Sequence, residues 1–474
     1  MTRLTIAHIA LETTTPLSIA SGSREGVRDT SVVKDAYGLP TIPGSSIAGV
    51  LRDLYRDSAS SMALAEAELF GSAKNDGGGS RSKLDVSFAI AHGSNDKPLT
   101  SPLIAEKNGD ALARWYLTTY ASEAPMRHRV RINERGAADA EKRGKFDRDI
   151  VPRGARFTFE LRFLNEGGDK DKATWRQLLE CLRHPLFRLG GQTRAGLGAL
   201  RIHALSQWDF DLSTAEGVKN YADVADELKR FSAVLDPSIE NHFEAKEVAT
   251  KRYSVQAEDF WRIGQDSRPL SVPGDVSDVN HATGAKADMA PYVESAIIWD
   301  GGQGAVDPAF LIIPASSIKG ALRHRTAFHY DRLSGALVER RQLDKSASKS
   351  GEALVDLFGE IHEEDISKSK RGRVIIDDIL IPLKKGHVDG VQTLAHNSVD
   401  RFTGGVRDKV LFSERMIFRG DIDLTIHIES SVTPVAAVAE RALEMALEDL
   451  CAGRLPIGAA GGRGHGRLKQ RKQA

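Results

Sequence analysis

The sequence contains the stretch Ile42-Pro43-Gly44-Ser45-Ser46-Ile47-Ala48-Gly49-Val50-Leu51-Arg52 and, 271 residues later, Ile313-Pro314-Ala315-Ser316-Ser317-Ile318-Lys319-Gly320-Ala321-Leu322-Arg323. Eight of the eleven positions are identical. Solenoid repeats recur roughly every 20 to 50 residues. A spacing of 271 residues is far longer, so the sequence predicts two copies of one domain fused in tandem.

Other landmarks follow each copy in the same order. A helix-like run ends in Leu69-Phe70-Gly71 in the first half and in Leu357-Phe358-Gly359 in the second. Each half then closes on a glycine-rich, basic run, at 189–198 and 460–467, followed by a short strand. The shared order of these landmarks supports a tandem duplication.

Composition limits the class of protein. The 474 residues are enough for two or three hydrophobic cores, and the two cysteines, Cys181 and Cys451, predict buried thiols without a disulfide framework or a structural zinc site. No apolar run reaches the roughly 18 residues of a membrane span, and no signal-peptide pattern opens the chain, so we expect a cytoplasmic protein without a membrane partner. The 65 basic residues balance 65 acidic ones, which disfavours non-specific polyanion binding but allows a local basic track.

Hydrophobic periodicity predicts the fold class. The first half shows a strand from Leu4 towards Leu17, a hairpin through Ala36-Tyr37-Gly38, a helix after Ser45, and then strand, helix and strand over 151–165, 174–182 and 199–205. The second half repeats this order, with hairpin arms at 297–299 and 310–313, a helix over 433–450 and a short final strand. The order is typical of a ferredoxin-like (RRM-like) βαββαβ unit. We therefore predict an α+β protein with domains at 1–209 and 246–474, joined by a connector at 210–245.

A further segment, Val399-Asp400-Arg401-Phe402-Thr403-Gly404, completes a recognisable set of motifs. Together they resemble the RAMP superfamily of CRISPR-associated proteins, above all the repeating backbone subunit of type III effector complexes, here as two fused copies with thumb-like insertions. The resemblance implies thumbs at 126–149 and 393–415, although the first-half counterpart of the segment, 129–135, lacks its Asp and Thr. It also implies three partners: crRNA, single-stranded target RNA and other type III subunits.

The same resemblance implies metal-dependent cleavage of target RNA. In Asp29-Thr30-Ser31-Val32-Val33-Lys34-Asp35, Asp29 matches the family's catalytic position and would hold a divalent metal, Mg²⁺ or Mn²⁺. Asp35 is a second candidate, although its place beside a turn favours a structural role. A gapless alignment makes Glu294 and Asp300 the second-half counterparts of Asp29 and Asp35.

Contacts with the RNA backbone require positive charge, hydroxyl donors and close approach of the main chain. The Ser-Ser pairs, the arginines of the repeated stretch, the basic thumbs and the glycine-rich runs meet these requirements. The candidate RNA-binding residues are Ser45, Ser46, Arg52, Arg127, Arg129, Arg131, Arg135, Gly190, Gly191, Arg194, Ser316, Ser317, Lys319, Arg323, Arg401, Arg407, Gly461, Gly462, Arg463 and His465.

Two alternatives stay open at this point. The chain could be a non-catalytic subunit that only binds crRNA in the same complex. It could also be a RAMP endoribonuclease that processes precursor crRNA, because such enzymes use histidine acid–base chemistry and the sequence offers His396 and His465.

Overall fold

The computed structural model describes residues 2–22, 30–58, 62–72, 79–122, 124–130, 145–225, 247–264, 287–335, 350–360, 365–383, 386–408, 410–430 and 434–471. Contacts divide the chain into two compact units. The first consists of Met1–Thr193, Leu197–Ala245 and Ser295–Asp307, and the second consists of Arg194–Gly196, Lys246–Glu294 and Pro308–Ala474.

The first half forms a ferredoxin-like sheet. Its strands run in the spatial order β2-β6-β1-β7, with β3 also pairing β6, and every described pair is antiparallel. The elements are β1 (Arg3–Thr13), α1 (Gly44–Ser58), α2 (Glu66–Phe70), β2 (Leu84–Val86), β3 (Ile90–Ala91), α3 (Pro102–Lys107), α4 (Ala111–Ser122), β4 (Met126–Val130), β5 (Lys145–Asp149), β6 (Arg156–Asn165), α5 (Asp169–Cys181), β7 (Leu200–Asp211) and α6 (Ala215–Ala225).

The second half repeats this topology. Its sheet has the order β12-β16-β8-β17, in which each strand takes the place of its first-half counterpart. The elements are β8 (Val248–Ala257), β9 (Phe260–Trp261), β10 (Val293–Asp300), β11 (Gln303–Ile313), α7 (Ala315–Leu333), α8 (Ser350–Phe358), β12 (Val374–Ile376), β13 (Ile379–Pro382), β14 (Gly390–His396), β15 (Phe412–Phe418), β16 (Asp421–Glu429), α9 (Pro434–Cys451) and β17 (Leu468–Gln470). The predicted tandem α+β fold is confirmed.

The repeated stretch folds as the first helix of each unit because its apolar residues lie at helical spacing. Ile47 and Leu51 are fully buried on one face of α1, and Ile318 and Leu322 are buried at the same positions of α7. In the first core they pack with the inward side chains of β6, which alternate with polar neighbours from Phe157 onwards. The motif that reveals the duplication is therefore also a core segment.

Several boundaries differ from the predictions. Strand β1 ends at Thr13, and the first-half hairpin has only isolated bridges such as Lys34↔Pro40. Strand β7 runs on to Asp211, into the predicted connector, because Phe210 joins a small apolar cluster with Leu4 and Ile6 that Tyr221 of α6 covers. In the described part of the chain, no helix combines the length and the apolar character needed to cross a membrane.

Candidate nucleic-acid interface

The two glycine-rich loops, 189–198 and 457–466, have the same backbone conformation. Four positions of each loop have matching positive φ angles. These angles are 82° and 81° in Gly190 and Gly458, 61° and 60° in Gln192 and Ala460, 102° and 97° in Gly196 and Gly464, and 77° and 72° in Gly198 and Gly466. A Cβ added to Gly190 would lie 2.3 Å from the carbonyl oxygen of Ser18, and one on Gly458 would lie 2.3 Å from that of Arg262. Glycine is therefore required here by close backbone approach as well as by conformation.

Matching hydrogen bonds anchor both loops. The Gly191 amide donates to the Ser18 carbonyl at 2.7 Å, and the Ala459 amide donates to the Arg262 carbonyl at 2.8 Å. Ser18 and Arg262 thus hold equivalent positions. The Gly191 amide is therefore engaged in an internal hydrogen bond, whereas the amides of Gly461 and Gly462 donate to none of the described residues.

Each unit also carries a two-stranded ribbon where a thumb was predicted. Strands β4 and β5 pair from Met126↔Asp149 to Val130↔Lys145, and β14 and β15 pair from Gly390↔Phe418 to His396↔Phe412. The first ribbon meets its glycine-rich loop through Arg129, which donates to Gln192 Oε1 at 2.7 Å. In the second, His396 Nδ1 lies 3.2 Å from an amino group of Arg463.

Backbone pairing fixes which residues of the two thumbs correspond. Thr30 bridges Arg148, and Met289 bridges Glu414, both in parallel. The Asp149 amide donates to the Thr30 carbonyl at 3.0 Å, just as the Arg415 amide donates to the Met289 carbonyl at 2.8 Å. Arg148 and Glu414 therefore occupy one structural position with opposite charge.

This pairing corrects the alignment of the acidic residues. The Val33 amide donates to the Ile19 carbonyl at 2.9 Å, and the Tyr292 amide donates to the Ile263 carbonyl at 3.1 Å, so Tyr292 corresponds to Val33. The gapless alignment was thus wrong by six residues, because the second copy has a longer hairpin after this point.

The corrected register changes which acidic residues of the two copies correspond to each other. Glu294 corresponds to Asp35, and Asp288 precedes Met289 as Asp29 precedes Thr30. Asp29 itself lies outside the described residues. The overlooked signal in the sequence is Asp288 itself, an aspartate 25 residues before Ile313.

Asp288 is an exposed carboxylate with a fixed orientation. Its Oδ2 accepts hydrogen bonds from the Ser413 amide at 2.7 Å and from the Ser413 hydroxyl at 3.1 Å. These bonds lower the pKa of Asp288, so the group is ionised at neutral pH. Within the described residues, no three His, Cys, Asp or Glu side chains form a group that could hold a metal ion.

The remaining acidic candidates lie in different surroundings. Asp35 Oδ1 accepts the amides of Tyr37 and Leu39 at 2.8 and 3.0 Å, so its structural role in the turn is confirmed. Glu294 is buried, with 7% of its surface exposed, and Asp300 is exposed at the end of β10. Catalytic roles for these three residues stay predictions.

The arginines of the repeated stretch make the same internal contact in both units. An amino group of Arg52 donates to the Gly71 carbonyl at 3.3 Å, and one of Arg323 donates to the Gly359 carbonyl at 3.1 Å. Arg52 also forms an ion pair with Glu66. This contact explains why the arginine and the Leu-Phe-Gly motif recur together, while contact with RNA stays a prediction.

The Ser-Ser pairs lie in the first turns of α1 and α7. The amides of Ser46 and Ser317 donate to the carbonyls of Pro43 and Pro314, both at 2.9 Å. Ser45 and Ser317 are exposed, and Ser46 and Ser316 are half-buried. The exposed hydroxyls remain accessible to a ligand.

Lys319 and Arg194 are engaged within the second unit. Lys319 Nζ donates to the carbonyls of Arg194 and Val374 at 3.0 and 2.8 Å, and Arg194 forms an ion pair with Glu429. Burial, together with the charges of Arg194 and Arg323, lowers the pKa of Lys319 to about 7. These contacts give both residues a structural role, whatever they contribute to RNA binding.

The lowered pKa of Lys319 predicts a pH-dependent stability. Between about pH 7 and pH 10.5, the unfolded chain holds a proton on Lys319 that the folded protein has released, so folding becomes more favourable as pH rises. Lys319→Met removes this titration. We expect the melting temperature of the parent, relative to that of Lys319→Met, to increase from pH 6.5 to pH 9 in thermal scans. A constant difference would contradict the assignment.

Glu414 lies at the centre of a charged cluster at the base of the second thumb. It is fully buried, and its Oε2 accepts from Arg262 Nε and Nη2 at 3.2 and 3.1 Å. Its Oε1 lies 2.7 Å from His396 Nε2 and 3.0 Å from Arg463 Nη2. Phe412 stacks on the His396 ring, with centroids 5.0 Å apart. Sequence reasoning singled out His396 and Arg463 but missed Glu414, because nothing local marks a glutamate in a strand as buried.

The tip of the second thumb presents an aromatic ring between cations. Phe402 is 99% exposed, and Arg401 and Arg407 beside it are exposed as well. Asp400 Oδ1 accepts the amides of Phe402 and Thr403, both at 2.9 Å, and thereby holds the turn. Sequence reasoning used this segment for its charge and overlooked the ring.

The other candidates divide between interior and surface. Arg127 is buried at the base of the first thumb, with 2% exposure, whereas Arg131 and Arg135 lie outside the described residues. His465 is half-buried, with its ring edge on Phe260 at 6.1 Å between centroids. Beside Gly191, the guanidinium of Arg148 is half-buried, and this burial lowers its pKa.

Comparison with known proteins gives one result. The family model described as the RAMP superfamily matches residues 10–201 and 293–469, one segment in each half and together most of the chain. No curated protein matches the chain. The two matched segments contain the first helix, the thumb and the glycine-rich loop of each copy, whereas strand β8 of the second sheet lies before the second segment. The chain therefore belongs to the RAMP superfamily, with two RAMP domains in tandem.

Proposed function

We propose that the protein is a subunit of a type III CRISPR ribonucleoprotein that binds crRNA and cleaves complementary target RNA with a divalent metal ion. The observation that carries the proposal is the duplicated framework. In each unit, the base of a thumb is paired with a short segment that an aspartate precedes, Asp29 before Thr30 and Asp288 before Met289. The same thumb contacts the glycine-rich loop.

This framework suits recognition of a nucleic-acid backbone. The Gly461 and Gly462 amides donate to no described residue, and a phosphate group can approach them closely because glycine has no side chain. Arg401 and Arg407 at the second thumb tip add exposed positive charge. The exposed ring of Phe402 offers a face on which a base can stack.

The chemistry of the acids fits a hard divalent cation. Asp288 is ionised and exposed, and carboxylate oxygens are the ligands that Mg²⁺ and Mn²⁺ prefer. In the proposal, Asp29 and Asp288 would each help to hold one metal ion in their own domain. The bound metal would polarise the scissile phosphate. Ser413 fixes the direction in which the Asp288 carboxylate points.

Expression with the native operon tests the proposal. The purified complex should contain crRNA and should cut a complementary single-stranded RNA at regularly spaced positions, with loss of cutting in EDTA. Binding of crRNA without cutting at any metal concentration would favour the structural subunit. Cutting of precursor crRNA by the isolated chain in EDTA would favour the histidine-dependent processing enzyme.

Charge reversal in the first thumb should weaken guide binding. Arg129→Glu with Arg131→Glu replaces two cations of a basic segment, and each lost phosphate contact lowers the salt slope by about 0.7 for single strands. Guide affinity measured at several salt concentrations should therefore fall, and its slope should flatten. The matched control is the charge reversal Lys172→Glu on α5, at a lysine whose side chain is 72% exposed. It should leave the guide affinity and its salt slope unchanged.

Stability provides the control for this pair. Arg129 is half-buried and donates a side-chain hydrogen bond to Gln192 near the surface, so the melting temperature should hardly move, because surface substitutions change stability by within about 0.5 kcal/mol. A large drop in melting temperature would show that the segment is packed and is not a thumb. Unchanged affinity and slope at unchanged stability would remove the first thumb from the RNA path.

A further inference from the structure

The second unit contains a surface cavity of about 480 Å³ beside the glycine-rich run 460–467, whose last residue, Arg467, lines it. It lies between the carboxyl end of α9 and the beginning of β17. Its lining residues are Glu258, Ala452, Gly453, Arg454, Pro456, Arg467 and Lys469. Three of them are cationic and one is acidic, which leaves an excess of two positive charges in one concave site.

Small residues keep the cavity open. Gly453 has a φ of 71°, and a Cβ there would come within 3.0 Å of a Glu258 carboxylate oxygen and 3.9 Å of the Arg467 Cβ. Ala452 pairs with Lys469 of β17 through an isolated bridge and contributes only a methyl group to the lining. A side chain at Gly453 or a larger one at Ala452 would therefore reduce the cavity.

The cations that line the cavity keep donors for a ligand. Arg454 Nε donates a hydrogen bond to Asp449 Oδ1 at 2.6 Å, and the Arg454 side chain is 59% exposed. Lys469 pairs with Glu258 but is 60% exposed. The exposed Arg467 side chain makes no ion pair or hydrogen bond with the described residues. Two guanidinium groups and one ammonium group can thus face a bound anion.

We propose that this cavity binds a phosphate monoester, such as the terminal phosphate of an RNA strand. A phosphate monoester carries close to two negative charges at neutral pH, which matches the excess of two positive charges among the lining residues. Guanidinium groups bind phosphate oxygens in pairs with good geometry. The lining has no aromatic ring, so the site recognises the phosphate group and provides no stacking surface for the base.

Binding to RNA ends tests the proposal. Single-stranded RNA labelled at its 3′ end should bind more tightly when it carries a 5′-phosphate than when it carries a 5′-hydroxyl. If the pocket instead takes the other end, RNA labelled at its 5′ end should bind more tightly with a 3′-phosphate than with a 3′-hydroxyl. We expect a preference of about tenfold or more, the contribution of charge-assisted hydrogen bonds. Arg467→Gln should abolish the preference. Arg471→Gln, directly after β17 and paired with Asp421 outside the lining, should retain it.

A second arm separates an RNA end from a free phosphate. Inorganic phosphate and AMP are added to the full chain, and the melting temperature is recorded for the parent, Arg467→Gln and Arg471→Gln. A rise in the parent and in Arg471→Gln but not in Arg467→Gln, without a preference between RNA ends, assigns the pocket to a free phosphate monoester. No response to phosphate in either arm overturns the proposal. This arm needs no bound RNA, so it reports on the pocket even if the proposed guide-dependent function fails.

Discussion

Asp288→Ala in the assembled complex should abolish one set of target-RNA cuts, and Asp29→Ala should abolish a second set displaced by one domain repeat. Each substitution removes a carboxylate proposed to hold a metal, and a bound metal contributes several kcal/mol to catalysis, so each cut should slow by at least about a hundredfold. Guide affinity should stay unchanged, because each substitution removes an anionic carboxylate and no positive charge that could bind a guide phosphate. The measurement is the ladder of products from an end-labelled target.

Glu294→Gln and Asp35→Asn are the matched controls. They occupy equivalent positions in the two copies, six residues after Asp288 and Asp29, and Asp35 accepts hydrogen bonds from its own turn. Both sets of cuts should persist in these variants. If Glu294→Gln instead removes a cut that Asp288→Ala retains, the corrected register does not describe the catalytic site. If neither alanine variant changes the ladder, the chain is a structural subunit.

Glu414→Ala should cause the largest loss of stability of any single substitution considered in this protein. The buried carboxylate contacts two guanidinium groups and an imidazole, and Arg262 is itself only 5% exposed. Removing one partner of a buried ion pair leaves an uncompensated charge and costs about 3 to 5 kcal/mol. Urea unfolding should show this loss as a lower midpoint.

Two variants define the cause of that loss. Asp389→Ala breaks an exposed pair with Arg419 at 3.7 Å and should change stability by no more than about 0.5 kcal/mol. Glu414→Leu combined with Arg262→Met removes both buried charges, so the double variant should be more stable than Glu414→Leu alone. Equal stability of these two would mean that the loss arises from packing and not from the unpaired arginine.

Much of the fold could be predicted because the duplication repeats core residues. Ile47, Leu51, Ile318 and Leu322 are buried at equal positions of α1 and α7, and their helical spacing is visible in the sequence. The strand order needs no contact information, since βαββαβ connectivity favours this sheet. The extent of β7 was not predictable from its own pattern, because Phe210 is held by the distant Leu4 and Ile6.

The second acid was misassigned for a definable physical reason. Glu294-Ser295-Ala296 matches Asp29-Thr30-Ser31 residue by residue in type, but equivalence in a sheet is set by pairing with other strands. The bridge from Met289 to Glu414 spans 125 residues and leaves no trace in local sequence. For the same reason, the charged cluster around Glu414 became visible only in the structure.

The opposite charges at one thumb position limit how the two domains can be recombined. Arg148 lies beside Ser18, and Glu414 lies beside Arg262, so each strand residue matches only the loop residue of its own copy. A chimera that places β15 in the first domain would bury a glutamate next to a serine, and the reciprocal exchange would bring two arginines together. Despite their shared topology, the two RAMP domains are not interchangeable parts, and a functional exchange must transfer strand and loop as one unit.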